Sequence, residues 1–431
     1  MFNGKEEGLP QSPRILPDRL MNRGLPGYPG SNHDRGGMPM DTRIRIPDEE
    51  FVARAGQVRT LMAERGIDLL LAYGNEAEPQ FVRYLSDYWP SFETAGVLLG
   101  MSGDPILLIG PESATFAADR SRVSRILRIQ SFRESSNPEY PGERLDSFGA
   151  AIAEAMGGRK AGRAAIAGTN IVSRLVFEDF RGALAKLGVV EVEDGDELVM
   201  RPRMRKSEAE IACMRKAGEI SHEAMRYVIA NVRSGMTELQ VRGLACSKIY
   251  ELGAENEAYP MWVLAGDGGD QAISRARHKV LTTGDLVHIG VGARYEGYAS
   301  SIGRQVILGK PEAWMLDAIK AAYEAHGVVS EQLRAGGNAR DVADAYYRVM
   351  GKNGYRDWLL YGPCHATGLM EGEPPWIEAN SDYPLEENMT YCIDIFMAGR
   401  RRQGFRVEDS VRVGKAGADS LTDFPKEIFV A

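Results

Sequence analysis

Residues 285–309 read DLVHIGVGARYEGYASSIGRQVILG. Apolar residues alternate with small or polar ones over two runs, joined at Arg294–Gly297. That period of two marks strands with one covered face, and the polar, glycine-bearing link predicts a hairpin. Further along, MTYCIDIFMAG (389–399) predicts a third strand and FRVEDSVRVG (405–414) a fourth.

Helices flank these strands. KSEAEIACMRKAGEISHEAMRYVIANV (206–232) is amphipathic, and Ser207 with Glu210 has the S-x-x-E spacing of a capping box. After it, RSGMTELQVRGLACSKIYELG starts at Arg233, and RAGGNARDVADAYYRVMGKNG starts at Arg334. Arg233 matches Arg334, Gly235 matches Gly336, Val241 matches Val342 and Gly253 matches Gly354, all at an offset of 101 residues. Matching punctuation across two helix–loop–helix segments predicts an internal duplication, with a cleft between similar halves as a natural site.

Upstream, the helical pattern FVARAGQVRTLMAERG (51–66) leads to apolar runs in IDLLLAYG, GVLLG, PILLIG, RILRIQSF and AAIAG. Two further helical stretches, LDSFGAAIAEAMGG and SRLVFEDFRGALAKLG, alternate with them, the sequence of an α/β layer domain. The first 45 or so residues differ: six prolines (Pro10, Pro13, Pro17, Pro26, Pro29, Pro39) alternate with glycines, so no regular element is expected. The segment is either a flexible tail or an arm that wraps a partner subunit, for which Leu16, Leu20, Met21, Leu25 and Tyr28 offer apolar groups to bury. The expected division is therefore an arm at 1–46, an α/β domain at 47–202 and a duplicated domain at 203–431.

Composition narrows the function classes. The chain has 431 residues, 44% hydrophobic and 26% charged, which excludes a fibrous or wholly disordered protein. No apolar run reaches the roughly 18 residues of a membrane span, and the start MFNGKEEGLPQSPRILP has no apolar core of a secretory signal. A net charge of −8 argues against general phosphate-backbone binding, so neither nucleic acid nor membrane is an expected partner. Four cysteines without a CxxC pair are no disulfide framework, and a cytoplasmic location is the expectation.

With KSEAEI, RSGMTE, GDLVHIGVGARYEGYASSIGR, HATGLMEGEPP, ENMTYCIDIFMAG, GFRVEDSVRV and the closing LTDFP in this order, the chain resembles the pita-bread enzymes: creatinase, prolidase, Xaa-Pro aminopeptidase and methionine aminopeptidase. The resemblance implies an α/β (α+β) fold with a smaller N-terminal α/β domain before a pseudo-two-fold pita-bread domain. It also implies a homodimer. The family's metallopeptidases hold two metal ions with two Asp, one His and two Glu. Here the first Asp position falls on Gly290 and the second on Ser301, His365 and Glu408 match, and the remaining Glu falls on Asp394. Two histidine positions of the family fall on Gly372 and Ser274.

Glycine offers no ligand and serine only a neutral hydroxyl, so the paired-ion site is expected to be lost. The expectation is no cofactor. Any single divalent ion would sit on His365, Asp394 and Glu408. Without metal, these three form the expected catalytic group, with His365 moving a proton and one carboxylate orienting it. Arg304 and Arg406 are expected to flank the carboxylates and replace the metal charge. Glu373 and Trp376 match the family's E-P-P segment near the pocket. His278, beside Arg275, Arg277 and Lys279, is a candidate for a substrate carboxylate or a solvated face. His288, two residues before Gly290, could lean toward the site or be a hydrogen-bonded core histidine.

Three functions follow from this reading. The first is a creatinase-like, metal-independent hydrolase cleaving a C–N bond (amide, ureido or guanidino) of a small polar or dipeptide-like substrate. The second is an Xaa-Pro aminopeptidase or dipeptidase with a reduced metal site. The third is a non-catalytic binding scaffold. In the first, chemistry on a neutral carbon acceptor would draw on arginine and backbone donors to hold the oxyanion.

Overall fold

In the computed structural model, which describes residues 43–189, 191–400 and 403–431, the duplicated pattern becomes two helix pairs laid over one sheet. The first pair is Glu208–Asn231 with Glu238–Glu251, and the second is Ala313–Gln332 with Ala339–Lys352. Glu238–Glu251 and Ala339–Lys352 are separated by the same 101 residues that the sequence repeat shows. Gly235 and Gly336, and again Gly253 and Gly354, all take positive φ at the equivalent turns. That conformation is cheap only for glycine, which explains why these letters recur in both copies.

Local chemistry sets the helix ends. Ser207 Oγ accepts from the Glu210 amide while Glu210 returns a bond to the Ser207 amide, so the capping box forms as expected. Thr237 and Gln240 build the same device at the second helix. The helix Asp48–Arg65 ends on Gly66 in the left-handed region.

The helix pairs cover one face of a nine-stranded sheet. Its main path runs Glu373–Ile377, Cys364–Ala366, Thr390–Arg400, Gln403–Val413, Ile302–Ile307, Leu286–Val291, Val263–Ala265. Ile393, Ile395, Met397, Phe405 and Val407 pack with Met315, Ile319 and Ala322 of the second pair. Val287, Ile289, Val291, Ile302 and Val306 pack with Ile220, Val228, Val241 and Ile249 of the first. Because side chains alternate, residues 392, 394, 406, 408 and 410 share the opposite face. That face carries the site. The expected hairpin forms with Tyr295 opposite Tyr298, and Glu296 and Gly297 both take positive φ, the geometry of a primed two-residue turn.

A second, six-stranded sheet is built from residues 69–194 in the order Arg125–Arg128, Ile106–Ile109, Ala95–Gly100, Leu69–Gly74, Ala164–Ala167, Val192–Asp194. Residues 44–431 form one compact unit, and buried ionic contacts tie the helix Asp48–Arg65 to the long helix Glu208–Asn231. Arg54 pairs with Glu210 at 3.2 Å and donates to the Tyr298 hydroxyl at 2.8 Å. The expected arm lies outside the described residues up to residue 42, Leu16, Leu20, Met21, Leu25 and Tyr28 included. Among the described residues, no helix is long and apolar enough to cross a membrane.

Two expected site residues turn out to hold the fold instead. Arg304 is fully buried on the helix-covered side, next to Gly303, which faces Glu408. Its guanidinium bonds both Asp409 oxygens at 2.9 and 3.0 Å and the carbonyls of Glu408, Phe424 and Pro425. His326 and Lys426 also reach Asp409. Glu373 is buried between Arg203 and Lys206, with Lys206 Nζ at 2.9 Å, and so anchors the start of the long helix.

Removing one member of a buried ion cluster strands the others, so Arg304→Met should cost about 3–5 kcal/mol in urea unfolding. A loss under 1 kcal/mol would show that the cluster is not what holds this edge. Burial would raise the Asp409 pKa, but Arg304, His326 and Lys426 outweigh it and hold the carboxyl below its usual range. A depressed folded value gives stability that is complete above the unfolded value near pH 4 and is lost as pH falls through the folded one. An Asp409→Asn chain should therefore show a shallower fall in stability between about pH 4 and pH 2.

Candidate functional site

The site face gathers residues from three neighbouring strands and two loops. Cys392 lies opposite His365 on one side and Ser410 on the other, and Asp394 lies opposite Glu408. Next along the same face, Arg406 lies opposite Phe396. Gly303 makes room for this arrangement, since a Cβ there would sit 2.9 Å from the Glu408 Cβ and 3.2 Å from the Arg406 Cγ.

His365 and Glu408 come together as expected, and Glu371 joins them from the loop after His365. His365 Nε2 stands 3.6 Å from Glu371 and 3.7 Å from Glu408. Its Nδ1 is 3.1 Å from the Ala366 carbonyl, which fixes the ring and leaves Nε2 for the site. Ligand atoms of His365, Glu371, Cys392 and Glu408 all lie within 4.8 Å of one another.

Asp394 does not join that group. Arg406 Nε donates to one of its oxygens at 2.6 Å and the Tyr361 hydroxyl to the other at 2.7 Å. Arg406 Nη2 also donates to the Tyr361 oxygen at 2.6 Å and to the Ala272 carbonyl at 3.2 Å. Its plane lies 4.4 Å from the Trp262 ring centre. The expected arginine beside the carboxylates is thus Arg406 alone, and Asp394 is committed to it rather than to a metal.

Charge in the cluster is balanced by its own members. Burial alone would lower the His365 pKa, but Glu371 and Glu408 outweigh it and push it up to about 10. Burial raises Glu371 and the Glu408 charge raises it further, so Glu371 holds its proton more tightly than an ordinary carboxyl. Glu408 stays ionised, because His365 and Arg406 overcome its desolvation. Burial is also the main cause that raises Asp394, partly offset by Arg406.

Tyr259 packs against residue 290 and is hydrogen-bonded to residue 301, the two positions where the resemblance places aspartates. A Cβ at residue 290 would lie 2.9 Å from the Tyr259 hydroxyl oxygen, and one at residue 292 would lie 2.6 Å from the same ring. Ser301 Oγ donates to that hydroxyl at 3.1 Å. Burial and the Glu408 and Glu371 charges raise the Tyr259 pKa well above its ordinary value, so it stays a neutral phenol. Ser274 instead bonds the Gln271 side chain, and Ser300 pairs with Ser221 at 2.7 Å.

Of the other expected site residues, Trp376 is 41% exposed with its ring 5.2 Å from that of His365, a wall beside the cluster rather than core. His288 is fully buried on the site face, with burial and Arg406 lowering its pKa to about 3. Neither of its ring nitrogens has a hydrogen-bond partner among the described residues, so it is not the hydrogen-bonded core histidine of the bland expectation. His278 is exposed and is not brought into the cluster, because its neighbours Arg277 and Lys279 are held by Glu238 and Asp267.

Glu371, Cys392, Tyr259, Tyr361 and Trp262 escaped the sequence reading. Cys392 had a signal: it stands two residues from Asp394 in an alternating strand. The others come from loops, where no period says which way a side chain turns.

The family's paired metal ions do not fit these residues. Gly290 and Ser301 give no carboxylate, Tyr259 occupies the space above them, and Asp394 is taken by Arg406. One ion does fit His365, Glu371 and Glu408, with Cys392 beside them. Donor atoms around one ion with bonds near 2.0–2.2 Å stand about 3.3–3.6 Å apart, close to the 3.6 and 3.7 Å measured from His365. Any single ion would therefore use Glu371 in place of the expected Asp394.

Residues 212–415 match the sequence profile of metallopeptidase family M24. The chain is 26% identical over 329 residues to an Xaa-Pro dipeptidase of Pyrococcus horikoshii, covering 76% of this chain and 89% of that protein. It is 30% identical over 249 residues to the probable dipeptidase PepE of Mycobacterium tuberculosis, covering 57% of this chain and 65% of that one. Among solved structures, an X-Pro aminopeptidase from Thermotoga maritima superposes with a TM-score of 0.75 at 24% identity, over 88% of this chain and 99% of that one. By profile, relatives and fold, residues 212–415 resemble a metallopeptidase M24 domain, and the chain has the pita-bread fold of prolidase and X-Pro aminopeptidase structures.

Proposed function

We propose that this protein is a hydrolase that cleaves the C–N bond of a small dipeptide-like amide of the Xaa-Pro type, at a site holding one divalent ion. One observation carries the reading: donor atoms of His365, Glu371 and Glu408 lie together on one side of the sheet, with spacing that suits one small ion. The dipeptidase names of the relatives support the substrate class. An ion there would activate a water and polarise the scissile carbonyl.

The chain's own groups do the rest. Arg406 Nη1 has no hydrogen-bond partner among the described residues and is a donor for a substrate carboxylate or a developing oxyanion. Asp394 and Tyr361 fix that guanidinium from behind, and Trp262 fixes its plane. Tyr259 receives its bond from Ser301, so its own O–H is free to donate into the site. Trp376 and Tyr361, with ring centres 5.8 Å apart, form an apolar wall for a side chain or a proline ring.

A second, metal-independent reading is favoured by the charge balance. Protonated His365 with Glu408, and Arg406 with Asp394, leave the cluster neutral without any ion. Ionised Glu408 would then take a proton from the attacking water. Protonated Glu371 or His365 would return one to the leaving nitrogen as the C–N bond breaks.

Elemental analysis after equilibration with manganese, zinc and cobalt, followed by Xaa-Pro dipeptide assays with and without chelator, separates these. About one ion per chain, with turnover lost on chelation, is the expected result. Turnover that persists in metal-free protein would establish the second reading, and no turnover in either state would overturn both. His365→Gln should lower kcat/KM by about 10²–10⁴-fold. Glu371→Gln should abolish the bound ion under the first reading, whereas Asp394→Asn should leave the ion in place.

A further inference from the structure

The disagreement between the family's two-ion site and these residues centres on Tyr259. Its ring lies against Gly290 and Gly292, where a Cβ would come within 2.9 and 2.6 Å of it. Its hydroxyl is held by Ser301 at 3.1 Å. Gly290 and Ser301 are the two positions at which the aligned carboxylates are missing, so one phenol oxygen sits against both. An aspartate at residue 290 would bring its Cβ within 2.9 Å of the phenol oxygen.

We propose that Tyr259 closes the second cation position of this site and sets its capacity at one ion, and that the glycine at 290 makes room for its hydroxyl. The exclusion is steric and runs in both directions. A side chain at 290 clashes with the Tyr259 hydroxyl where it now sits, so the phenol must shift before a residue there or a second ion can enter. The capacity limit deepens the one-ion reading above, whereas the steric claim stands apart from any turnover.

Two measurements on the full-length chain test it. The first is equilibrium binding of Mn²⁺, with the electron paramagnetic resonance spectrum read for exchange coupling between two ions. The wild type and Gly290→Asp/Ser301→Asp should each saturate at no more than one ion. Tyr259→Ala/Gly290→Asp/Ser301→Asp should take two and show the coupled spectrum. Two ions in the wild type, or two in the double variant with Tyr259 kept, would overturn the proposal.

The second is a thermal double-mutant cycle, which needs neither metal nor substrate. Gly290→Ala should lower Tm by at least about 3 °C in the wild type, as overpacking does, and by less than about 1 °C in a Tyr259→Ala background. Equal losses in both backgrounds would sink the proposal even if the triple variant failed to fold. A wild type that binds no ion at all but shows the expected cycle would remove the one-ion reading while upholding the steric claim.

Discussion

The ion pair between Arg406 and Asp394 is the contact on which this site depends. Two buried carboxylates, Asp394 and Glu408, share one face of the sheet with His365, and the half-buried Glu371 reaches them from a loop. Desolvation penalises each of them, and like charges a few ångströms apart penalise one another. Arg406 resolves this by pairing with Asp394 at 2.6 Å and by lowering the energy of ionised Glu408. With that charge fixed in the sheet, one carboxyl can stay protonated, one can stay ionised, and His365 can stay charged between them. The packing that holds Arg406 in place, Tyr361 on its edge and Trp262 on its face, is therefore part of the electrostatics as well as the core.

How much of this could be read from the letters depended on whether a period constrained the residue. The duplication, the capping box and the strand order along the chain were all legible, because each rests on spacing within one segment. The same alternation could have corrected Arg304. It is the neighbour of Gly303, and Gly303 pairs with Glu408, so Arg304 must face the helices. What was missing was the register between strands, which no single strand carries. Glu373 shows a different limit. It sits in a recognisable motif, but its partners Arg203 and Lys206 lie about 170 residues upstream and give no local sign of the contact.

Tyr259 and Glu371 mark where sequence reasoning fails for a physical reason. Both stand in loops that turn back over the sheet, and the direction of a loop side chain is set by what it packs on. For Tyr259, the complementary surface is a pair of glycines more than 30 residues away. Counted as lost ligands, Gly290 and Ser301 read as a site that has decayed. Seen with the ring in place, they are the floor and the clasp of a different site.

The two halves of the duplicated domain have consequently diverged in chemistry while keeping their shape. Strands under the first helix pair present Gly290, Gly292 and Ser301, small residues that lie against the Tyr259 ring and its hydroxyl. Those under the second present His365, Cys392, Asp394, Arg406 and Glu408. A symmetric pair of ions needs anionic ligands from both halves, and here only one half supplies them. Under the proposed hydrolase reading, proton transfer and charge stabilisation would fall to that half. A substrate would then place its reacting carbon over the His365–Glu408 side, with the Tyr259 face left for the part that does not react.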